Sequence, residues 1–231
     1  MLARRLLAEF VGTSLLLAAI IGSGIAASRL SPTDTGLQLF ENAAATAAAL
    51  IAIILAVGPV SGAHLNPVIS LADWLLGGLR PAEALGYVGA QVLGAAVGAV
   101  IANLMYELPA VNIAITERTG AGLWLAEVVA TFGLVLIVFG VVRSGRPGVA
   151  PFAVGAYIGA AYFFTSSTSF ANPAVTLART LSDTFAGIAP ASVGPFIVAQ
   201  FVGGGLGYVV ARVLYPDMPS ADIVTLERRV M

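Results

Sequence analysis

Cysteine and lysine are absent from this 231-residue chain, and it has one histidine, His64. Without thiols there is no disulfide and no thiolate metal site. A single imidazole gives no histidine cluster, so neither a metal nor a cofactor is expected. One His and no Cys also leave no nucleophile–base pair to assemble, which makes an enzyme the least supported class. Charge is scarce: 10% of residues are charged, against about a quarter in a soluble domain. Arginine supplies every basic charge, the net charge is −1, and no nucleic-acid partner is expected. Apolar residues fill the gap. A hydrophobic share of 58% and a mean hydropathy of +0.95 place the chain in a lipid bilayer.

Six apolar segments, about 6–27, 40–60, 82–105, 123–142, 150–164 and 190–214, carry apolar residues around their whole circumference. The first is about as long as a bilayer-spanning helix needs, roughly 20 residues, so it reads as a retained span and not a cleaved signal. Two further apolar stretches, Asn66–Leu76 and Asn172–Phe185, are too short to cross and read as re-entrant segments. With a cytoplasmic N-terminus, Arg4, Arg5, Arg80, Arg143, Arg146, Arg212, Arg228 and Arg229 face the cytoplasm, and only Arg29, Arg118 and Arg179 face outward. That bias satisfies the positive-inside rule and predicts that both termini are cytoplasmic.

The two halves repeat. Leu7-Ala8-Glu9-Phe10 with Thr13 corresponds to Leu125-Ala126-Glu127-Val128 with Thr131. Asn66-Pro67-Val68 corresponds to Asn172-Pro173-Ala174, and Gln91 with Gly94 and Gly98 to Gln200 with Gly203 and Gly207. Three spans per half is an odd number, so the halves sit in opposite orientations. The expected fold is an all-α membrane protein with an inverted 3+3 repeat: one channel domain over 1–231, with repeats at about 4–107 and 119–215 and a tail at 216–231. Such repeats place the working site near the midplane, at the tips of broken helices.

Asn is a favoured N-cap and Pro a favoured first helical residue, so each Asn-Pro starts a half-helix. In an inverted repeat the two tips meet, and their positive dipole ends point into the lumen. A cation meets an unfavourable field there, while a neutral hydroxylated solute finds the amide donors of Asn66 and Asn172. One Asn-Pro is common at helix starts. Two in matched positions of a repeat form a specific signal.

These stretches resemble the major intrinsic protein family, the aquaporins and glycerol facilitators. The resemblance rests on AEFVGT (8–13), SGAHLNPVISL (61–71), GYVGAQVLG (86–94), AEVVAT (126–131) and ANPAVTLA (171–178), and it covers nearly the whole chain up to about Pro216. It implies a right-handed bundle of six transmembrane helices plus two re-entrant half-helices. It also implies passive solute flow and a homotetramer with one pore per subunit.

Two departures from the family pattern follow. Val68 replaces the usual alanine and adds bulk near the first tip. Val175 stands where family members usually carry the filter arginine. By the family's spacing, the other filter positions fall on Thr46, on Ser169, and on Ala160 or Tyr162 in the fifth span. Val175 with Thr46 gives a wider, uncharged constriction lined with hydroxyls. That implies small neutral polyols, hydroxylated metalloids such as arsenite or methylated arsenicals, and water. A water-selective aquaporin is the alternative. The run 168–188 is similar to a bacterial branch associated with arsenic-resistance gene clusters, and short loops suggest a prokaryotic plasma membrane.

Several polar residues have a structural and a functional reading. Glu9 and Glu127 are ionisable groups inside spans, which ordinarily signals function and would suit an ion-coupled secondary transporter. The structural reading has each carboxylate accept backbone N–H groups of the nearby re-entrant loop. Gln91 and Gln200 read as polar contacts between the third and sixth spans. Gly94 and Gly98, with Ala90, and Gly203 with Gly207 repeat at four-residue spacing and allow close helix approach. His64 reads as a structural hydrogen-bonder, with a pH gate as the alternative. Arg179, one turn outward of Val175, supplies a vestibule charge or pairs with Asp183 four residues on.

Overall fold

The structure is a computed structural model and describes residues 2–216. Arg228, Arg229 and the tail beyond Pro216 lie outside the described residues. Eight α-helices follow one another: α1 (Leu2–Leu30), α2 (Thr35–Ser61), α3 (Pro67–Leu75), α4 (Pro81–Met105), α5 (Ala121–Arg143), α6 (Ala150–Phe164), α7 (Pro173–Ala178) and α8 (Pro190–Leu214). Six of them, with α6 extended by a 3-10 turn at Pro147–Val149, are long and apolar enough to cross a membrane. The two short ones, α3 and α7, are the re-entrant half-helices.

Local chemistry sets the ends. Asp34 caps α2 by accepting the Leu37 N–H at 2.9 Å, so this helix begins before the apolar stretch that starts at Phe40. It ends at Gly62, whose φ of +86° suits glycine and lets its N–H bond the Gly58 carbonyl at 2.8 Å. Pro81, Pro67, Pro173 and Pro190 each open a helix, where the missing N–H costs nothing.

The second re-entrant helix is shorter than the apolar stretch to Phe185 suggests. It stops at Ala178 and continues as a 3-10 turn, Arg179–Leu181. The connection between the halves competes for this backbone: Asn112 N–H donates to the Leu181 carbonyl at 3.0 Å, and Ala114 N–H to that of Thr180 at 2.9 Å.

Within each half, the first span packs on the third: α1 on α4, and α5 on α8. The second-half counterpart of α2, namely α6, lies against α2 and α5. The crossings are backbone-close. A Cβ at Gly94 would meet the Phe10 carbonyl oxygen, and one at Gly98 that of Ser14; the second-half counterparts are Gly203 on Val128 and Gly207 on Phe132. Small residues at matched positions thus make matched crossings, as close packing in lipid requires.

Candidate functional site

The two half-helix tips meet and hold each other. Asn66 Oδ1 accepts the Val68 N–H at 2.9 Å, and Asn172 Oδ1 accepts those of Ala174 and Val175 at 3.0 and 3.2 Å. Their amides cross over. Asn66 Nδ2 donates to the Ala171 carbonyl and Asn172 Nδ2 to the Leu65 carbonyl, both at 2.7 Å. Each amide carries two hydrogens; one is committed to the opposite loop, and the other has no acceptor among the described residues. Both asparagines line the central cavity.

Each loop before its tip is held by a buried glutamate. Glu9 accepts from the backbone N–H groups of His64 and Leu65 at 3.0 and 2.8 Å, from Ser61 Oγ at 2.6 Å and from Gln91 Nε2 at 2.7 Å. Glu127 accepts the N–H groups of Phe170 and Ala171, both at 2.9 Å, and Gln200 Nε2 at 2.7 Å. Successive N–H groups converging on one carboxylate form a nest. The backbone bends accordingly, with positive φ at Ala63 and Leu65 and at the equivalent Ser169 and Ala171, 46–52° in all. Such non-glycine conformations cost about 1–3 kcal/mol each and persist because the surrounding contacts hold them. In a trans peptide the carbonyl points opposite to the following N–H. The carbonyls of Ala63, His64, Ser169 and Phe170 therefore turn away from the glutamates, and these residues line the cavity. The two loops thus bring backbone carbonyls to the cavity lining. Aliphatic side chains of α1, α2, α5 and α6 share the lining, among them Leu16, Ile20, Leu134 and Val138.

Neither glutamate lines this cavity. Both carboxylates are engaged by the loops, so the midplane carboxylate that an ion-coupled transporter needs is not on the cavity wall.

Gln91 and Gln200 need a correction. They do not join the third span to the sixth. Gln91 on α4 reaches Glu9 on α1 and Ser70 Oγ on α3, the latter at 2.9 Å; Gln200 on α8 reaches Glu127 on α5 and Thr176 Oγ1 on α7, the latter at 2.8 Å. Each glutamine ties one glutamate to one half-helix. His64 is buried, with Nδ1 3.1 Å from Ser70 Oγ, Nε2 3.7 Å from Asp73 Oδ2, and its ring edge-on to Tyr87.

Val68, expected to add bulk near the first tip, directs that bulk into the helix packing. It is buried but does not line the cavity, and its side chain is seated against Gly204 on α8.

Thr46, Tyr162, Ser169 and Val175 all line the cavity, and Thr46 Oγ1 lies 3.2 Å from Tyr162 Oη. Of the two fifth-span candidates, Ala160 is exposed and off the cavity wall, while Tyr162 is buried on it. Helix phase explains this, because two residues along a helix turn by about 200°. Arg179 also lines the cavity. It makes no ion pair with Asp183, whose Oδ1 accepts the Ile115 N–H at 3.1 Å. Arg179 Nε donates to the Ala186 carbonyl, and its guanidinium carbon lies 3.4 Å from the centre of the Phe170 ring. Arg118 is over the same ring at 5.2 Å and donates to the Gly187 and Phe185 carbonyls. Phe170 was not legible as a lining residue, since a loop aromatic in an apolar chain carries no distinguishing sequence signal.

Crossed tips and paired glutamate nests frame a cavity inside a bundle of membrane-spanning helices. The sequence profile of the major intrinsic protein family matches residues 1–171, and the chain belongs to this family of membrane channels, whose members are not enzymes. It is 46% identical to aquaglyceroporin AqpS of Rhizobium meliloti (strain 1021), over 94% of this chain and 93% of that one. It is 31% identical to the probable aquaporin AqpM of Archaeoglobus fulgidus, over 93% and 96% of the two chains. The X-ray structure of the aquaglyceroporin from Plasmodium falciparum matches with a TM-score of 0.70 over 94% of this chain and 96% of that one. At 22% identity that likeness bears on the fold.

Proposed function

We propose that this chain is a passive channel for small neutral solutes and water, with a constriction wide enough for glycerol-like polyols and hydroxylated metalloids such as arsenite, and extending to methylated arsenicals. The observation that carries the reading is Val175, an aliphatic side chain on the cavity wall directly after the second Asn-Pro-Ala. A guanidinium there would narrow the passage and hold fixed donors; valine does neither. Thr46, Ser169 and Tyr162 act as the remaining filter residues and offer hydroxyls to a polyol. The similarity to a protein named an aquaglyceroporin supports the same solute class. The working form is a homotetramer in a prokaryotic plasma membrane, with both termini cytoplasmic, as the arginine distribution supports.

The test is a proteoliposome panel of water, glycerol, urea, arsenite and methylated arsenicals, run on the wild-type chain and on Val175→Arg. The wild type should pass glycerol and arsenite, and Val175→Arg should bring both toward the rate of empty liposomes while water still passes. Unchanged glycerol entry in the variant would sink the wide-filter reading.

A further inference from the structure

Neutral-solute passage leaves one charge without a role. Arg179 is 3% exposed and lines the cavity. Its Nε is taken by the Ala186 carbonyl, but its two terminal nitrogens have no hydrogen-bond or ion-pair partner among the described residues. A guanidinium is never deprotonated in a protein, and a buried charge ordinarily pairs or coordinates something. No Asp or Glu lines the cavity, and the neighbour over the same Phe170 ring is a second cation, Arg118. The Ala186 carbonyl and the Phe170 ring meet the charge in part, but among the described residues no carboxylate lies within ion-pair distance of it.

An unsatisfied donor shares the cavity wall. Ser169 is 4% exposed, and its Oγ is buried with no hydrogen-bond partner. The Thr46 and Tyr162 hydroxyls, 3.2 Å apart, also line the cavity; whichever donates to the other, the accepting hydroxyl keeps a proton of its own to offer. Val175 contributes an aliphatic surface one helical turn inward of Arg179.

We propose that Arg179, Ser169 and the Thr46–Tyr162 hydroxyl pair form a binding subsite for a small monovalent oxyacid anion, with Val175 facing its carbon substituent. The subsite rests on the channel reading above, since it lies in the same passage. The chemistry follows from the donor set. The free edge of a guanidinium presents parallel N–H groups that match two oxygens of one acid group. Hydroxyls serve a remaining oxygen, and a short alkyl group rests on valine. A planar carboxylate and a tetrahedral sulfonate share this recognition, and separate probes distinguish them.

The experiment measures glycerol entry into proteoliposomes of the full chain with glycolate, methanesulfonate or chloride added outside at equal ionic strength. For a millimolar site, about 10 mM of a recognised anion should slow glycerol entry roughly ten-fold. Chloride should not. Inhibition by glycolate alone marks a planar site, by methanesulfonate alone a tetrahedral one, and by both a site reading only the shared acid group. Arg179→Gln should abolish inhibition, and Ser169→Ala should raise the concentration needed. Should Arg179→Gln fail to fold, Ser169→Ala and the wild-type chloride comparison decide. Equal slowing by chloride, no slowing by either acid, or the wild-type response in Ser169→Ala and Arg179→Gln alike would overturn the subsite. If glycerol does not pass at all, the polyol reading is what fails. The subsite is then judged by calorimetric titration of methanesulfonate into the purified chain: wild-type binding that Arg179→Gln loses supports it, and no wild-type binding overturns it.

Discussion

Val68 and Gly204 fit one into the other: the Cγ1 of Val68 on the first half-helix occupies the space that a Cβ at Gly204 on α8 would need. The pair explains how a branched residue follows Asn-Pro without filling the passage. Valine's χ1 is stiff, so its methyl group cannot swing aside at little cost.

A first prediction follows. Gly204→Ala should destabilise the fold by about 1–3 kcal/mol through overpacking. Val68→Ala should relieve most of that loss in the double variant, because the clash needs both side chains. Thermal unfolding of the four proteins in detergent gives the coupling. Additive effects would show that the two positions do not share one space.

Gly94 and Gly89 lie on the same helix, and only one of them is at a crossing. An added methyl at Gly94 would meet the Phe10 carbonyl oxygen, which cannot move without shifting α1; at Gly89 it would meet nothing within 4 Å. Gly94→Ala should therefore reduce the yield of folded protein sharply. Gly89→Ala should be neutral or stabilising by about 0.4–1 kcal/mol. Equal behaviour of the two in size-exclusion recovery and melting would contradict the close crossing.

The glutamate nests give a third. Glutamine at position 9 would place an NH2 group against donors that now share one carboxylate, leaving at least one buried N–H unpaired. Each hydrogen bond to a charged group is worth about 1.5–3 kcal/mol. Glu9 accepts four such bonds and Glu127 three. Glu9→Gln should thus lower the melting temperature more than Glu127→Gln. Neither should make solute flux depend on an ion gradient. A gradient dependence lost in either variant would point to coupled transport instead.

Much of this architecture was legible because the chain states it twice. The spans, the two tips and the glutamates recur in order, and a pattern shared by two half-sequences is hard to produce by chance. Side-chain direction was far less legible. In helices that are apolar all round, no amphipathic face sets the phase, so the direction of Val68, against Gly204 on α8, is not readable from residue type. The partners of Gln91 and Gln200 depend on which spans touch, and residue type does not encode that. The end of α7 depends on a competing strand-like segment, 112–114, far away in sequence. Arg179 had a carboxylate at ideal helical spacing in Asp183, but the helix stops before that spacing applies.

The same problem of phase produces the sharpest test of the constriction. Counting from a family pattern left the fifth-span position at Ala160 or Tyr162, and the structure places only Tyr162 on the cavity wall, 3% exposed and 3.2 Å from the Thr46 hydroxyl. Tyr162→Ala should remove the ring and open the passage, raising entry of a bulkier polyol such as xylitol more than entry of glycerol. Tyr162→Phe keeps the ring and removes the hydroxyl contact with Thr46, so the size ratio should hold while polyol entry falls. Ala160→Leu adds bulk on the exposed side of the same helix and should leave the xylitol-to-glycerol ratio unchanged. Stopped-flow light scattering on all three reads that ratio directly. A ratio that moves with Ala160→Leu and stays fixed with Tyr162→Ala would reverse the assignment of the wall.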